Sequence, residues 1–185
     1  MISLYHWPPD APSRITGIFT DIDDTLTTNG AITPDALQAL ADLKAAGLAV
    51  IPITGRPIGW CEPFMDGHHG AAWPVDAMVA ENGAVAFVHG TQTHAPLQKH
   101  YQQDAATRSA NQARMRAIAA QVAAEVPGVE LSRDSAGRET DIAFDYAEFA
   151  RHSPDTVQRV LAVLQRAGMQ TTVSSIHIHG CFGDF

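Results

Sequence analysis

Cysteine is scarce in this chain: only Cys61 and Cys181 occur among its 185 residues. Two cysteines cannot form the disulfide framework typical of small secreted domains, so a reducing cytoplasm is the expected location. The stretch from Met1 to Asp10 lacks a basic start followed by an apolar run, which argues against a signal peptide. No segment reaches the unbroken apolar length of a membrane helix, and we expect no membrane partner.

Basic residues are also few. Lysine and arginine number 12 against 20 acidic residues, and the formal net charge is -8. This balance argues against a nucleic-acid partner, which would require a basic face. With 45% hydrophobic and 17% charged residues, the composition is that of a globular protein long enough for one large or two small domains. A small anionic substrate remains compatible because it needs only local positive charge.

What the chain does have is a cluster of acids at the end of an apolar segment. Residues 14–20 are rich in Ile, Phe and Thr and predict a buried strand, and the acids begin at Asp21, where that run stops. In α/β sheets, ligands gather at the carboxyl ends of strands. We interpret Asp21 as a carboxylate nucleophile toward phosphorus. Asp23 would protonate the leaving oxygen and later activate water.

Two acids repel a phosphate dianion, so this chemistry requires a cation. Mg²⁺ is the usual partner of phosphates and takes oxygen ligands, for which Asp21 and Asp23 are the candidates. The alternative is a polar loop that caps a helix or turns the chain, because Asp and Thr are common there. Placement after a strand, followed by a second matching element, favours a magnesium-dependent phosphoryl-transfer site.

The second element follows a predicted helix over residues 34–46 and a predicted buried strand over residues 48–53. A strand-helix-strand unit makes parallel, right-handed neighbours, so the end of the second strand should lie beside Asp21. The residues that follow this strand are Thr54, Gly55 and Arg56. A hydroxyl, an unobstructed N–H and a positive charge suit phosphate oxygens. Taken alone, the same residues are equally typical of an ordinary strand-to-helix turn.

Two further stretches carry alternatives of their own. Residues 76–80 and 85–88 predict strands joined by a turn at Asn82, which is either a turn residue or a phosphate ligand. His68 and His69 lie in a glycine-rich stretch. We interpret that stretch as a mobile loop rather than a metal site, because no partner acids stand at ligand spacing.

After residue 90 the pattern changes to that of an α+β layer. Residues 97–126 predict one long helix, and residues 153–168 predict a second. Four strands are predicted over residues 129–133, 140–146, 169–174 and 176–179. The order helix, strand, strand, helix, strand, strand predicts two helices on one face of an antiparallel sheet.

Alternation along two of these strands separates an apolar face from a polar one. Ile142, Phe144 and Ile178 fall on the side expected to meet the helices. The polar side holds the candidates for substrate contact, which are Asp141, Asp145, His177 and His179. Three interpretations stay open: a solvated face, a face that closes over the catalytic acids, or a His and Asp metal site.

These motifs resemble those of the haloacid dehalogenase-like hydrolase superfamily, in its Cof-like branch, which includes sucrose-phosphate, trehalose-phosphate and mannosyl-phosphoglycerate phosphatases. Residues 21–27 look like the first motif, 53–56 like the second, and 81–84 like the signature before the cap of this branch. The resemblance implies an α/β fold with a Rossmann-like parallel core over residues 1–90. An inserted α+β cap of the IIB type would occupy 91–180, with a return to the core beginning at 181–185.

The same resemblance implies roles for individual residues. Asp21 would be nucleophile and metal ligand, and Asp23 the acid/base, with its backbone carbonyl on Mg²⁺. Thr54 and Gly55 would bind the transferring phosphoryl group. The implied reaction is hydrolysis of a phosphomonoester, a sugar phosphate or similar metabolite, through an aspartyl-phosphate.

The chain departs from the family pattern after residue 180. The resemblance implies a later lysine motif, a second acidic pair and further core strands, and none follows within the 185 residues. We therefore expect a shortened version of a longer phosphatase. Its activity should be weak or absent, and its first strand should be an exposed sheet edge open to self-association. The alternatives are a non-catalytic module that binds sugar phosphates, or a phosphomutase with the same acids.

Overall fold

The computed structural model of the protein describes His6 and residues 14–67, 72–89 and 96–183. These residues form ten strands and four α-helices: β1 (Gly17–Thr20), β2 (Thr27–Thr28), β3 (Ala31–Ile32), α1 (Pro34–Ala45), β4 (Ala49–Pro52), α2 (Ile58–Asp66), β5 (Ala77–Ala80), β6 (Val85–Val88), β7 (Gln98–Tyr101), α3 (Ala105–Glu125), β8 (Asp141–Asp145), α4 (Pro154–Arg166), β9 (Gln170–Val173) and β10 (His177–Cys181). They divide into two compact units. As far as their residues are described, the first draws on Met1–Thr54, Pro63–Val79 and Phe87–Gln98, and the second on Gly55–Glu62, Ala80–Ala86 and Lys99–Phe185.

In the first unit, β1 and β4 pair in parallel, which confirms the predicted strand-helix-strand order. Thr20 is the register partner of Pro52, so the two strands end at the same edge. The connecting helix α1 begins after Thr33, whose hydroxyl accepts a hydrogen bond from the Ala36 amide at 3.4 Å. Pro52 is the last residue of β4, where its missing N–H costs least.

Asp76 fastens the segment before β5 to the same sheet. Its carboxylate accepts hydrogen bonds from the Val50 amide, at 2.8 Å, and from the Lys44 ammonium. Burial favours the protonated acid, but these two donors hold the pKa of Asp76 below its ordinary value. A parallel β-bridge joins Ile53, the residue after β4, to Val79 in β5. Strand β5 therefore lies alongside the end of β4.

A short hairpin of β2 and β3 follows the acidic cluster, and it was not predicted. Its turn is formed by Asn29 and Gly30, with φ of 52° and 77°. An Asn-Gly pair is the strongest short-range hairpin signal, because both central residues of such a turn adopt positive φ. The signal was therefore present in the sequence.

The prediction of one helix over residues 97–126 is wrong in its first part. Residues Gln98–Tyr101 form β7, the last strand of a sheet with the order β5-β6-β7. Asp104 ends the extended stretch, because its carboxylate accepts a hydrogen bond from the Thr107 amide at 2.8 Å and so caps α3. The helix can begin only after this cap.

The second unit contains an antiparallel sheet with the strand order β8-β10-β9, and the predicted α+β layer is confirmed there. Phe144 and Ile178 pack in one buried cluster with residues of α3 and α4, among them Met115 and Val160. The assignment of the apolar face is therefore correct. Gly168, at φ 80°, follows the end of α4 as predicted.

Residues 129–133 do not form the predicted strand. Only Leu131 makes a β-bridge, with Phe144, although the Ser132 amide still donates to the Ala143 carbonyl at 2.8 Å. The Ser132 hydroxyl then donates to Asp134 Oδ1 at 2.6 Å. This side-chain bond turns the chain away from β8, because serine offers the backbone an alternative to a ladder.

Some expectations are not tested by these residues. His68 and His69 lie outside the described ranges, as do most of the first thirteen residues and residues 184–185. The domain boundaries at residues 90 and 180 stay predictions. In the described part of the chain, no helix combines the length and apolar character needed to cross a membrane.

Candidate active site

The turn after β1 is organised around one backbone carbonyl. Ile22 is completely buried, and its carbonyl oxygen accepts hydrogen bonds from the amides of Leu26 and Thr27, both at 3.0 Å. The Thr25 amide donates to the same oxygen at 3.3 Å, and the Thr27 hydroxyl donates to it at 3.1 Å. These bonds fold residues 23–27 into a compact turn that carries the acids of the first motif.

The acids on this turn differ in exposure. Asp21 and Asp24 are exposed, whereas Asp23 is half-buried. Asp24 has a φ of 57°, in the left-handed region that Asp and Asn tolerate better than most other non-glycine residues. Because Asp21 is exposed, molecules in solution can reach this residue.

The backbone of the second motif begins beside the end of β1. The Ile53 amide donates to the Thr20 carbonyl at 2.8 Å, and the Thr54 amide donates to the Val79 carbonyl at 2.9 Å. Thr54 is buried, with 3% of its surface exposed. Parallel pairing therefore brings the starts of both motifs to one edge of the sheet, as predicted.

Gly55 and Asn82 pack closely within the second unit. A Cβ atom built on Gly55 would lie 2.9 Å from Asn82 Oδ1, closer than side chains approach. Asn82 lies in a 3-10 turn (Glu81–Gly83) with φ 57°, and Glu81 before it has φ 50°. Such conformations persist only where the surroundings hold them. The turn at Asn82 is confirmed, and a side chain at position 55 would require the Asn82 amide to move.

Arg56, a predicted phosphate contact, lies between two acids and an aromatic ring. Its Nη1 is 3.4 Å from Glu148 Oε1 and 3.7 Å from Asp134 Oδ2, and its Cζ is 5.3 Å from the centre of the Trp60 ring. Only 15% of its side chain is exposed. An anion bound at Arg56 would therefore compete with two carboxylates for its charge.

The polar face of the antiparallel sheet is buried, so its interpretation as a solvated face is wrong. Its four residues, Asp141, Asp145, His177 and His179, keep 3%, 6%, 2% and 5% of their surface exposed. His177 Nε2 lies 2.7 Å from Glu148 Oε2, and His179 Nδ1 lies 3.0 Å from Asp141 Oδ2. Polar side chains can be buried here because they pair with one another.

Asp145 organises the loop after β8. Its carboxylate accepts hydrogen bonds from the amides of Glu148 and Phe149, at 2.8 and 2.9 Å, and from that of Ala150 at 3.3 Å. These three backbone donors on one carboxylate fold the loop around Asp145. The same loop carries the Glu148 carboxylate that contacts His177.

Arg138 joins these charges into one network. Its Nη1 donates to both carboxylate oxygens of Asp141 at 2.9 Å and to the Gly55 carbonyl at 3.1 Å, while Nη2 donates to Asp134 Oδ2 at 3.1 Å. The side chains of Arg138 and Asp141 are 2% and 1% exposed. Burial opposes the charge on Arg138, but Asp141 and Asp134 raise the pKa of its guanidinium.

Burial and neighbouring charges also shift the pKa values of His177 and Asp134, two other residues of this network. Burial lowers the pKa of His177, although its bond to Glu148 and the charge of Asp134 act in the opposite direction. For Asp134, burial favours the protonated acid, but the neighbouring Arg138 lowers its pKa. The network therefore favours a neutral imidazole at position 177 and a charged carboxylate at position 134.

Glu81 is completely buried and joins two segments of the second unit. Its carboxylate accepts hydrogen bonds from the amides of Glu139 and Thr140, at 2.8 and 2.6 Å, from the Thr140 hydroxyl, and from the Ile58 amide at 3.5 Å. Burial and the charge of Asp141 raise the pKa of Glu81, while the bonds from Thr140 and Glu139 act against this shift.

No group of three or more His, Cys, Asp or Glu side chains among the described residues is placed to hold a metal ion. The interpretation of the polar face as a metal site is therefore not supported. Mg²⁺ differs from metals held in closed sites, since it keeps several waters and takes one or two carboxylates together with phosphate oxygens. The donor set expected for it, the Asp21 carboxylate and the Asp23 backbone carbonyl, offers one carboxylate and one further oxygen and fits that requirement.

Sequence reasoning missed Glu81 and Arg138 as organising residues. Glu81 stands in a motif that had been singled out, so an acid directly after the buried Ala80 was a usable signal. Arg138 follows Gly137 in a polar stretch typical of an exposed turn. Nothing in its sequence neighbours distinguishes a buried arginine from a solvated one.

A model of the haloacid dehalogenase-like hydrolase family matches residues 18–128, more than half of the chain. The chain belongs to this family. The matched segment includes the turn after β1, the end of β4 and the turn at Glu81. Among curated protein sequences, none matches the chain.

Solved structures resemble this family member over most of its length. Protein 0175 of Thermoplasma acidophilum has a TM-score of 0.63 and 16% identity, over 90% of this chain and 64% of its own. A trehalose-6-phosphate phosphatase related protein has a TM-score of 0.56 and 17% identity, and the match covers 88% of this chain and 66% of that one. The sucrose-phosphatase of Synechocystis sp. PCC6803, solved with sucrose and phosphate, has a TM-score of 0.56 and 14% identity. That match covers 88% of this chain and 62% of the phosphatase. The similarity shows the fold, and the chain spans less than two thirds of each of these structures.

Proposed function

We propose that the protein is a magnesium-dependent phosphomonoester hydrolase that works through an aspartyl-phosphate. The observation that carries this proposal is the sheet edge where β1 and β4 end, with exposed Asp21 after one strand and Thr54 after its parallel neighbour. Transfer to a carboxylate requires a nucleophile, a proton donor and groups that bind phosphoryl oxygens, and residues of all three kinds follow these strand ends. Membership of a hydrolase family supports the reaction class.

The proposed reaction has two halves. In the first, a carboxylate oxygen of Asp21 attacks phosphorus, and the bond between phosphorus and the ester oxygen breaks as Asp23 gives that oxygen a proton. In the second, Asp23 takes a proton from a water whose oxygen attacks phosphorus. The bond to Asp21 then breaks, inorganic phosphate leaves, and both acids return to their starting states.

Thr54 and Gly55 are proposed to bind the transferring phosphoryl group through a hydroxyl and a backbone N–H. We propose Arg56 and Asn82 as secondary contacts, and we expect a smaller contribution from Arg56 because Glu148 and Asp134 already share its charge. Substrate contact by the four buried polar residues of β8 and β10 stays a prediction.

Asp21 and Asp23 would hold Mg²⁺, Asp23 through its backbone carbonyl, as the family resemblance implies. When bound, the ion offsets the repulsion between the two acids and a phosphate dianion. The exposure of Asp21 supports this assignment, because an ion that keeps several waters needs an accessible ligand.

A sugar phosphate or similar small metabolite is the proposed substrate class. Two similar structures are a sucrose-phosphatase and a protein related to trehalose-6-phosphate phosphatase, which supports this choice. We propose residues 91–180 as the cap that selects the substrate. A cytoplasmic location is proposed because Cys61 and Cys181 are both free thiols.

Phosphate release from a panel of sugar phosphates tests this function. The purified protein is assayed with Mg²⁺ and after removal of the ion with EDTA, beside Asp21→Asn. We expect release that depends on Mg²⁺ and is lost in the variant. Asp24→Asn is the matched control, since it neutralises an exposed acid of the same turn and asparagine tolerates the φ of 57°.

Two results would remove the proposal: no release from any substrate by folded protein, or equal release by wild type and Asp21→Asn. Phosphorus NMR of the products separates release to water from transfer within the sugar. Transfer within the sugar would identify a phosphomutase instead.

A further inference from the structure

The segment that follows Thr54 is held by several groups of the second unit. Arg138 Nη1 donates to the Gly55 carbonyl at 3.1 Å, and the Glu81 amide donates to the Arg56 carbonyl at 3.0 Å. The Arg56 side chain in turn contacts Glu148 at 3.4 Å. Two successive carbonyls and one side chain are thus fixed directly after the residue proposed to bind phosphate.

Arg138 differs from the other anchors because its charge is already neutralised. Asp141 and Asp134 both accept hydrogen bonds from its guanidinium and balance its charge. The further bond to the Gly55 carbonyl therefore orients the backbone and is not needed to balance charge. A planar guanidinium with five N–H donors can hold two carboxylates and a carbonyl at once, whereas a lysine ammonium cannot reproduce that fork.

The backbones beside this contact are also tightly packed. A Cβ atom built on Gly59 would lie 3.3 Å from the Cα of Gly137, the residue before Arg138. The start of α2 therefore rests against the turn that carries the arginine. A shift of either segment displaces the other, because close-packed interiors transmit displacement.

We propose that Arg138 is a positioning residue for the phosphate-binding segment that begins at Gly55, a role that rests on the proposed phosphatase function. The peptide unit is planar and trans, so the guanidinium that holds the Gly55 carbonyl also sets the direction of the Arg56 N–H, which points the opposite way. Arg138 thereby fixes the orientation of a backbone donor in the proposed phosphate-binding segment without touching substrate.

Hydrogen exchange tests this role independently of catalysis. In Arg138→Met, we expect the amides of residues 55–60, apart from Pro57, which has none, to exchange at least about 10-fold faster, while those within α4 stay within about 3-fold of wild type. Arg138→Lys keeps the charge and serves as the second variant if Arg138→Met does not fold. Arg166→Met is the matched control, because Arg166 pairs with Glu125 on the exposed surface of the second unit.

Kinetics supply the functional measurement. A misplaced phosphate segment should lower kcat/KM by roughly 10- to 100-fold in folded Arg138→Lys and raise the inhibition constant of inorganic phosphate in parallel. A merely structural arginine would lower the folded fraction and leave both constants of the folded protein unchanged. Retained rigidity of residues 55–60 in a folded variant, or equal acceleration in α4, would overturn the proposal.

The two proposals fail in different ways. Wild-type protein that releases no phosphate from any substrate removes the phosphatase function and with it the functional role of Arg138. Exchange data then still decide whether Arg138 orders the segment. Active wild-type protein with unchanged constants in Arg138→Lys removes only the positioning role.

Discussion

The acids on the turn after β1, in the first unit, and the acids around Arg138, in the second, differ in exposure and in partners. In the first, Asp21 and Asp24 are exposed on a turn built around the Ile22 carbonyl. In the second, Asp141 and Glu81 are 3% and 0% exposed, and arginine, hydroxyl and backbone donors hold them. Buried acids with internal partners hold the neighbouring segments of the chain in place, whereas exposed acids at a strand end are accessible to a substrate.

This contrast predicts whether loss of an acid changes activity or stability. Loss of the exposed Asp21 carboxylate should lower phosphate release and leave the free energy of unfolding unchanged. Loss of a buried acid should change stability first, because its partners stay behind in a low-dielectric interior.

Asp21→Asn carries the largest expected effect, which is a loss of phosphate release on the order of 10³-fold or more. Its free energy of unfolding should stay within about 0.5 kcal/mol of wild type, because the side chain is exposed. Steady-state kinetics and urea unfolding of the same preparation measure the two quantities. A large loss of stability would place Asp21 with the structural acids and break the comparison.

Asp141→Asn should lower the free energy of unfolding by about 3 kcal/mol, because it leaves the buried charge of Arg138 without its main partner. Glu125→Gln is the control, since its ion pair with Arg166 is exposed and should contribute less than about 1 kcal/mol. Urea unfolding monitored by circular dichroism measures both. Equal effects of the two variants would contradict the structural role of the buried pair.

Gly55→Ala should cost about 1–3 kcal/mol, because the added methyl group meets Asn82 Oδ1. Asn82→Gly removes that oxygen and suits the φ of 57°. The double variant should therefore recover about 1 kcal/mol relative to the sum of the single changes. Strictly additive unfolding energies would show that the glycine is not required by this contact.

His177→Gln should change the pH dependence of stability. Burial lowers the pKa of His177, so the unfolded chain takes up the proton first as the pH falls below about 6.5. Stability from the neutral imidazole is present above that pH and is lost as the pH falls toward the lowered pKa of the folded state. Wild type should therefore lose more stability than the variant between about pH 7 and pH 5, by at most about 1.4 kcal/mol per pH unit.

Urea midpoints across this pH range measure the difference, and exposed His100→Gln serves as the control. Glu81, whose pKa burial raises, favours stability at low pH and acts with the opposite sign. Its effect is shared by wild type and variant and cancels in the comparison. A wild-type slope equal to that of His177→Gln would argue against the lowered pKa.

Most elements of the fold could be predicted because their signals are local. Helices α1 and α4 begin close to where they were predicted, because Thr33 and Ser153 cap them through hydrogen bonds between residues three apart. Predictions failed where a nearby polar side chain decided between alternatives: Asp104 delays α3, and the Ser132 hydroxyl ends a strand-like segment. The hairpin at Asn29 was missed although its local signal was present.

The candidate site divides in the same way. The first two motifs begin at one edge of the sheet because a strand-helix-strand order leads to parallel pairing. That order can be recognised in the sequence. The burial of His177 and His179 could not be predicted. Alternation tells which side chains share a face, but not whether water or other side chains cover that face.

The amino-acid order alone determined the parallel pair, the acidic turn at its edge and the apolar face of the antiparallel sheet, because these depend on spacing along the chain. Only the tertiary structure decided that the polar face is buried and that Arg138 reaches Gly55. The contact between Arg138 and Gly55 joins residues 83 positions apart, and the energy of both features depends on desolvation and on partners that no local pattern specifies.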